Sequence, residues 1–280
     1  MKVRHFSTLQ LQNVQRLGGD TSAIVRELAS PGADVCAVGG DFFPDLTTSV
    51  RELAPIAETM PVVYAPGNID FYSSGKPMEH MLAEAKELAA KIGNIHVLYN
   101  DAVTLGDTRF LGTTLWTRIP DNMAVRASRY SNDFNYIRTV QGRWNVQKQN
   151  LEHDIAVDFL ESELSASRDM PTVVVTHNIP HHSVNDPKFS DPRYRDQDMS
   201  AIFVTDMEWL TDSPFAPDYW VAGTNIYTGE ASLGRTTVVS NGRGHPMRIE
   251  GGIGCENPDF DIDRTFQTTP KPRAVPSPGM

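Results

Sequence analysis

The stretch Pro61-Val62-Val63-Tyr64-Ala65-Pro66-Gly67-Asn68-Ile69-Asp70-Phe71-Tyr72 decides how the rest of the chain is read. Val62 to Tyr64 has the short, wholly apolar character of a buried parallel strand. It stops at Pro66-Gly67 and presents the Asn68 carboxamide at its tip, and side chains at the ends of parallel strands build sites. Ile69 is out of character, because a bulky apolar residue follows directly on the Gly-Asn turn. A second strand of the same kind, Asp34-Val35-Cys36-Ala37-Val38, runs into Gly39-Gly40-Asp41 and so places an acid at its tip.

Working outward, Lys2 to Phe6 reads as a first strand that ends at Ser7-Thr8-Leu9-Gln10, followed by a polar stretch and a helix over Ser22 to Ala29. One helix is expected from Ser49 to Thr59. Another carries Met81, Leu82, Ala85, Leu88 and Ile92 at helical spacing. From Ile95 the pattern changes to short strands around a Gly106-Asp107 hairpin, which implies a second, mixed sheet. Arg118 to Arg143 has no period and reads as a long loop packed on the domain. Asn145 to Leu164 is the longest helix expected, with Leu151, Ile155, Phe159 and Leu160 on its apolar face. Thr172 to Thr176 is a buried strand tipped by His177, Ser200 to Leu210 a capped helix, and Thr236 to Ser240 a last strand.

The chain has 280 residues, 40% of them apolar, which is enough to bury one large α/β core. Its formal charge of -10 argues against unaided binding to nucleic acid or to an anionic membrane. No apolar run approaches a membrane span, so no membrane partner is expected. The cysteines, Cys36 and Cys255, do not make a disulfide framework, and a reducing, cytoplasmic compartment fits. Residues 1 to 263 are expected to form one domain. Residues 264 to 280, rich in proline, read as an extended arm able to clasp a protein partner or a second copy.

The order of motifs is Ser7-Thr8-Leu9-Gln10-Leu11, Gly40-Asp41, Gly67-Asn68-Ile69-Asp70, Thr176-His177, Gly223-Thr224-Asn225-Ile226, Asn241-Gly242-Arg243-Gly244 and Glu256-Asn257-Pro258. This order, spread over roughly residues 1 to 262, resembles the calcineurin-like metallophosphoesterase family. The resemblance implies a four-layer α/β/β/α sandwich with two mixed β-sheets and a site where the sheets' strand tips meet. In that family two divalent metals, typically manganese, iron or zinc, share an aspartate and a hydroxide that attacks phosphorus.

Matched position by position, the resemblance makes Asp41 the bridging aspartate, Asn68 a carboxamide ligand and His177 a histidine ligand of the second metal. Thr8 stands where the family has Asp and Gln10 where it has His. Thr224 and Ile226 replace the two histidines of the Gly-His-x-His motif, Ile69 replaces the histidine after the asparagine, and Asn178 departs from a frequent second histidine. The first metal keeps Asp41 alone, too few donors for Mn, Fe or Zn.

The expectation is therefore a pseudoenzyme used for binding or assembly. No cofactor is expected beyond, at most, one weakly held Mn, Fe or Zn ion on Asp41, Asn68 and His177. Without metal, Asp41 requires donors from Thr8, Gln10, Asn68 or a protonated His177, and a contact between Asp41 and His177 flanked by Asn68 is expected. The competing reading is a hydrolase of phosphomonoesters or phosphodiesters with a reduced site, borrowing Asp70, Asn178 or Glu230. Arg243 and His245 are candidates for holding phosphate, and His181 and His182 sit in loops able to overhang the pocket. His5, His80, His96 and His153 are expected to be structural or exposed.

Overall fold

The computed structural model describes residues 1–72, 75–166, 170–190 and 199–269. Strands β1 (Lys2–Phe6), β2 (Val35–Val38), β3 (Val62–Tyr64) and β4 (Ile95–Val97) run parallel in one sheet. A hairpin of β5 (Asp101–Leu105) and β6 (Thr108–Thr113) opens the second sheet, and β7 (Arg138–Thr139) and β8 (Gly142–Arg143) form a small separate ribbon. The second sheet is completed by β9 (Thr172–Thr176), β10 (Tyr219–Ala222), β11 (Thr228–Leu233) and β12 (Thr236–Asn241), in the order β11-β12-β10-β9-β6-β5. After a ribbon of β13 (Pro246–Ile249) and β14 (Gly252–Cys255), β15 (Thr265–Gln267) pairs antiparallel with β1, which makes the first sheet mixed as well.

Alternation of side chains across the strands builds the layers. Val35 and Ala37 of β2, Val63 of β3, and Val173 and Val175 of β9 meet between the sheets. Cys36, Val38, Val62 and Tyr64 face the opposite way, into the core beneath the helices of the first sheet. Val174, Leu111 and Trp220 pack outward from the second sheet with Ala156 and Leu160 of the long helix. The result is the expected α/β/β/α sandwich with two mixed sheets.

Helices α1 (Leu11–Arg16) and α2 (Thr21–Leu28) fill the first crossover, so part of the polar stretch after β1 is helical. The helix expected over Ser49 to Thr59 begins earlier, as α3 (Leu46–Glu52), because Asp45 caps it by accepting from the Thr48 N–H at 2.8 Å. It breaks before α4 (Ala54–Ala57), where Pro55 has no N–H to continue the ladder. Next comes α5 (Met78–Ile92), as its spacing predicts.

The stretch expected to be a loop, Arg118 to Arg143, holds α6 (Asp121–Tyr130), α7 (Asp133–Tyr136) and the β7–β8 ribbon. In α6 the inward face is Met123, Ala124 and Ala127, of which only Ala127 is fully buried, too little apolar bulk to announce the helix. The long helix α8 (Val146–Ser165) exists, but its inner face differs from the one expected. Leu151 and Ile155 are exposed, while Val146, Gln149, Ala156, Leu160 and Leu164 are buried. Gln149 belongs inside because its amide donates to the Thr117 carbonyl at 3.1 Å and accepts from the Trp144 indole at 3.3 Å.

Two further expectations are corrected. Ser200 to Leu210 is not one helix: a single 3-10 turn, Ser200–Ile202, and a short helix, Glu208–Thr211, flank Val204, which bridges to Ile179. The segment from Arg264 is not wholly an arm, since Thr265–Gln267 is the edge strand β15. Residues 270–280 of the expected arm lie outside the described residues. Among the described residues no helix is long and apolar enough to cross a membrane.

Candidate functional site

The parallel strands of both sheets end on the same side of the sandwich, and their tips touch there. An isolated bridge joins Ser7, just past β1, to Gly242, just past β12. The approach depends on residues without side chains: a Cβ on Gly223 would lie 1.9 Å from the Gly39 carbonyl oxygen. A Cβ on Gly67 would lie 2.2 Å from Asp41 Oδ1. The tip residues bend through the left-handed region, with φ of 53° at Thr8, 46° at Gln10 and 59° at Asp41. Non-glycine residues rarely adopt it, and such strain clusters at sites. It is held by the Thr8 N–H donating to the Gly40 carbonyl and the Gln10 N–H donating to the Asp41 carbonyl, each at 3.0 Å.

Asp41 is 3% exposed. Its Oδ1 accepts from the Ile69 N–H at 3.1 Å, and its Oδ2 lies 3.5 Å from His177 Nε2. His177 Nδ1 is 2.9 Å from the Gly39 carbonyl, which can only accept, so Nδ1 carries a proton. Its Nε2 faces Asn68 Oδ1 at 3.0 Å. The amide orientation follows from its partners, because Asn68 Nδ2 donates to Asp133 Oδ1 at 2.8 Å and to the Tyr72 hydroxyl at 2.9 Å. The expected contact of Asp41 with His177, flanked by Asn68, is thus present. The expected donors Thr8 and Gln10 do not serve Asp41: Thr8 Oγ1 donates to the Gly223 carbonyl at 3.0 Å, and Gln10 Oε1 accepts from Asn13 at 2.9 Å.

His177 Nε2, Asn68 Oδ1 and Asp41 Oδ2 are three acceptors around one point, so a proton or a cation has to lie among them. Burial pushes the Asp41 carboxyl up to about 8, with the Asp133 charge adding to the rise, and burial pulls the His177 imidazolium down. One shared proton, whether on Asp41 or on His177 Nε2, leaves the pair without net charge.

Asp133 is the residue of this cluster that sequence reasoning missed. It is 1% exposed, and it holds the amide of Asn68, the hydroxyl of Tyr72 at 2.5 Å and that of Ser131 at 2.9 Å. The signal available was Asp133 within an apparent loop rich in aromatic residues, which lies over the strand tips.

The first metal of a dinuclear centre does not fit these residues. Thr8 and Gln10 are engaged elsewhere, and Ile69, Thr224 and Ile226 line the cavity with few or no donors. The substitute ligands considered do not reach it. Asp70 is buried, pushed up to about 6 by burial and by the Asp41 charge, and it accepts from Tyr64, Ser49, Gly67 and Asp41. Asn178 donates to the Leu115 carbonyl at 3.1 Å, and Glu230 is exposed on the edge strand β11.

Arg243 is buried and does not line the cavity. Its Nη2 reaches the Gly254 carbonyl at 3.5 Å and Nη1 has no hydrogen-bond partner among the described residues, so it is not placed to hold phosphate there. His182 and His245 do line the cavity and are exposed. His181 instead groups with Asp206 and Glu208 on the surface. Its Nδ1 accepts from the Ser183 N–H at 3.1 Å, which leaves the proton on Nε2 and the ring unsuited to bind a cation there. His5 is buried as expected, and His153 Nδ1 donates to the Trp116 carbonyl at 2.7 Å.

The fold is metallophosphoesterase-like. In particular, the chain is similar in structure to the phosphopantetheinyl hydrolase of Mycobacterium tuberculosis, with a TM-score of 0.64 at 14% identity, over 92% of this chain and 96% of that one. In sequence it is 23% identical over 217 residues to an uncharacterised protein of Acanthamoeba polyphaga mimivirus, covering 74% of this chain and 76% of the relative. No family profile matches the chain. At these identities the structural likeness is one of fold.

Proposed function

We propose that the chain is a pseudo-phosphoesterase, a metallophosphoesterase-type scaffold whose cavity and surface serve binding or assembly in place of phosphoester hydrolysis. The observation that carries this reading is the state of the four positions matched to ligands of the family's two metals at Thr8, Gln10, Thr224 and Ile226. The first two side chains are engaged in their own hydrogen bonds, and the last offers no lone pair. A lone cation cannot hold the bridging hydroxide on which that chemistry depends.

A second reading is favoured by one observation. The His177 imidazole is anchored through Nδ1–H on the Gly39 carbonyl, the arrangement typical of a metal-bound histidine, with Asn68 Oδ1 and Asp41 Oδ2 beside Nε2. These three residues would hold at most one Mn, Fe or Zn ion, which would supply Lewis acidity to a phosphomonoester or phosphodiester. Among the described residues no water activator and no acid stands beside them.

Metal analysis of protein purified with manganese or zinc, together with turnover of an aryl phosphate and a cyclic nucleotide, separates the two. The pseudoenzyme reading expects substoichiometric metal and no turnover above buffer, and stoichiometric metal with robust turnover overturns it. Free thiols at Cys36 and Cys255 support a cytoplasmic setting. The proline-rich segment 264–280 is the proposed element for a protein partner or a second copy, beyond the part that forms β15.

A further inference from the structure

The acidic charge of the chain is not spread evenly. Residues 122–148, which make up most of α6, all of α7 and the β7–β8 ribbon, and the start of α8, carry the cations Arg126, Arg129, Arg138, Arg143 and Lys148 against a single acid. That acid is Asp133, which is buried and bound by neutral donors. The charge this stretch turns outward is therefore positive, in a chain whose formal charge is -10. Screening confines each exposed charge to about 8 Å at physiological salt, so the local sign decides what can dock here.

The cations are set out without acids of their own. Arg138 and Arg143 are direct partners across the ribbon, which places like charges side by side at a cost to so short a pairing. Arg138 Nη1 donates to the Asn135 and Ile137 carbonyls at 2.9 and 3.0 Å, and Lys148 Nζ donates to the Thr139 hydroxyl at 2.6 Å, all of them neutral acceptors. Arg126, Arg129 and Tyr130 are spaced to share one face of α6. Among the described residues none of the five cations makes an ion pair, whereas Arg118, just outside the stretch, pairs with Asp154. The exposed acids nearest in the chain or by contact are Asp121, at the far end of α6, and Glu79, which accepts from the Val140 N–H at 3.1 Å. Two phenol rings stand among these charges. Tyr130 is 66% exposed and Tyr136 51%, and Tyr136 rests against Tyr72 with ring centroids 5.2 Å apart.

We infer that this segment binds single-stranded nucleic acid, with phosphates on its arginines and unpaired bases stacked on Tyr130 and Tyr136. A guanidinium pairs with phosphate through two parallel hydrogen bonds, and an exposed ring takes any unpaired base on its face. A duplex keeps its base faces covered and gains nothing from the rings. An anionic membrane calls for a broad apolar face between the cations, but Met123, Ala124 and Ala127 of α6 are turned into the core, which leaves Val125 as the aliphatic residue outside. The inference extends the reading of the chain as a scaffold for binding, and it uses none of the residues considered as holders of an ion.

Fluorescence anisotropy of a labelled oligo(dT) of about twelve nucleotides, the scale of one single-strand site, titrated with the full chain in chelator, tests it. Affinity is expected to fall about twentyfold or more between 50 and 200 mM salt, the slope of about three neutralised phosphates. A blunt duplex of the same length is expected to bind more weakly. Arg129→Ser with Arg143→Ser, both on exposed side chains, is expected to weaken the single strand by about tenfold or more, and lysine at both positions to keep most of the affinity. Tyr130→Ala is expected to weaken the single strand several-fold and leave the salt slope unchanged. No binding at 50 mM salt, equal binding of the duplex, or unchanged affinity in the serine or alanine variants overturns the inference. So does sedimentation with phosphatidylserine vesicles that the serine pair abolishes while oligo(dT) is ignored, which would make the segment a membrane contact. Stoichiometric metal with robust turnover would sink the pseudoenzyme reading and leave this one standing, and a metal-free, inert chain that ignores oligo(dT) loses this one alone.

Discussion

Asn68 shows how much a single residue's partners decide. The carboxamide has one end that donates and one that accepts, and Asp133 together with Tyr72 fixes which end meets His177. The Tyr72 hydroxyl both accepts from Asn68 and donates to Asp133 at 2.5 Å, so burial and the Asp133 charge raise its pKa far above the usual phenol range. Tyr72→Phe removes this link and leaves a buried carboxylate with one donor fewer. It is expected to lower unfolding free energy by about 2 kcal/mol, the scale of a hydrogen bond to a charged group, as measured by urea denaturation. An effect within error would mean that Asn68 is held without Tyr72. Asp41, Asn68 and His177 were legible in the sequence because each sits one or two residues past a short apolar run that ends in glycine, proline or threonine. Asp133 was not, since no spacing in the chain links it to Asn68; only the fold brings the two together.

At the scale of elements, the legible ones carry their signal in the local sequence. The strands β2, β3 and β9 are short apolar runs buried throughout their length, and α5 repeats its apolar residues at helical spacing. The misread ones were decided by contacts distant in sequence: α8 turns Gln149 inward to reach Thr117, and Val204 leaves a helical pattern to bridge Ile179. The edge strand β15 was hidden in the same way. Three residues have too little period to be read, yet Phe266 packs against the His5 ring, with centroids 5.6 Å apart, and Val3 pairs with Phe266 in register.

This packing has a pH signature. Burial, with a smaller push from the Arg264 charge, lowers the His5 pKa from 6.5 to about 3. Between these values the unfolded chain binds a proton at His5 that the folded chain refuses, so His5 stabilises the unfolded form as pH falls from 6.5 toward 3. Its contribution is absent above 6.5. His5→Phe keeps a ring against Phe266 and removes the titration. The stability of the variant relative to the parent is expected to rise by about 1.4 kcal/mol per pH unit below 6.5. Asp41, with its raised pKa, acts in the opposite direction over part of this range, so the parent alone is expected to show a shallow profile. Denaturation curves of both chains at pH 7, 6 and 5 check this, and parallel profiles would place the His5 ring in contact with water.

At the scale of the whole molecule, the proposed reading is that the frame of a dinuclear site is kept although its ligands are not. Two sheets are pinched together by Gly39 and Gly223, the tips at Thr8, Gln10 and Asp41 hold left-handed backbone, and Asn68 and His177 still converge on Asp41. Such strain persists only where the surrounding structure fixes it. Thr8 is the clearest case, since a β-branched residue at φ 53° has no local reason to be there. If the frame rather than the side chains has been preserved, five substitutions at existing positions should be enough to return the ligands. Thr8→Asp, Gln10→His, Ile69→His, Thr224→His and Ile226→His together are expected to raise bound manganese or zinc from substoichiometric to about two per chain, read by elemental analysis after dialysis. Adding Gly223→Ala to this variant provides the control, because its Cβ would overlap the Gly39 carbonyl and force the sheets apart at the tips. Metal binding is then expected to fall back even if the chain stays folded by circular dichroism. A folded five-fold variant that remains free of metal would show that the strand tips no longer hold the spacing of a dinuclear centre, and that the left-handed backbone at Thr8 serves the present cavity alone.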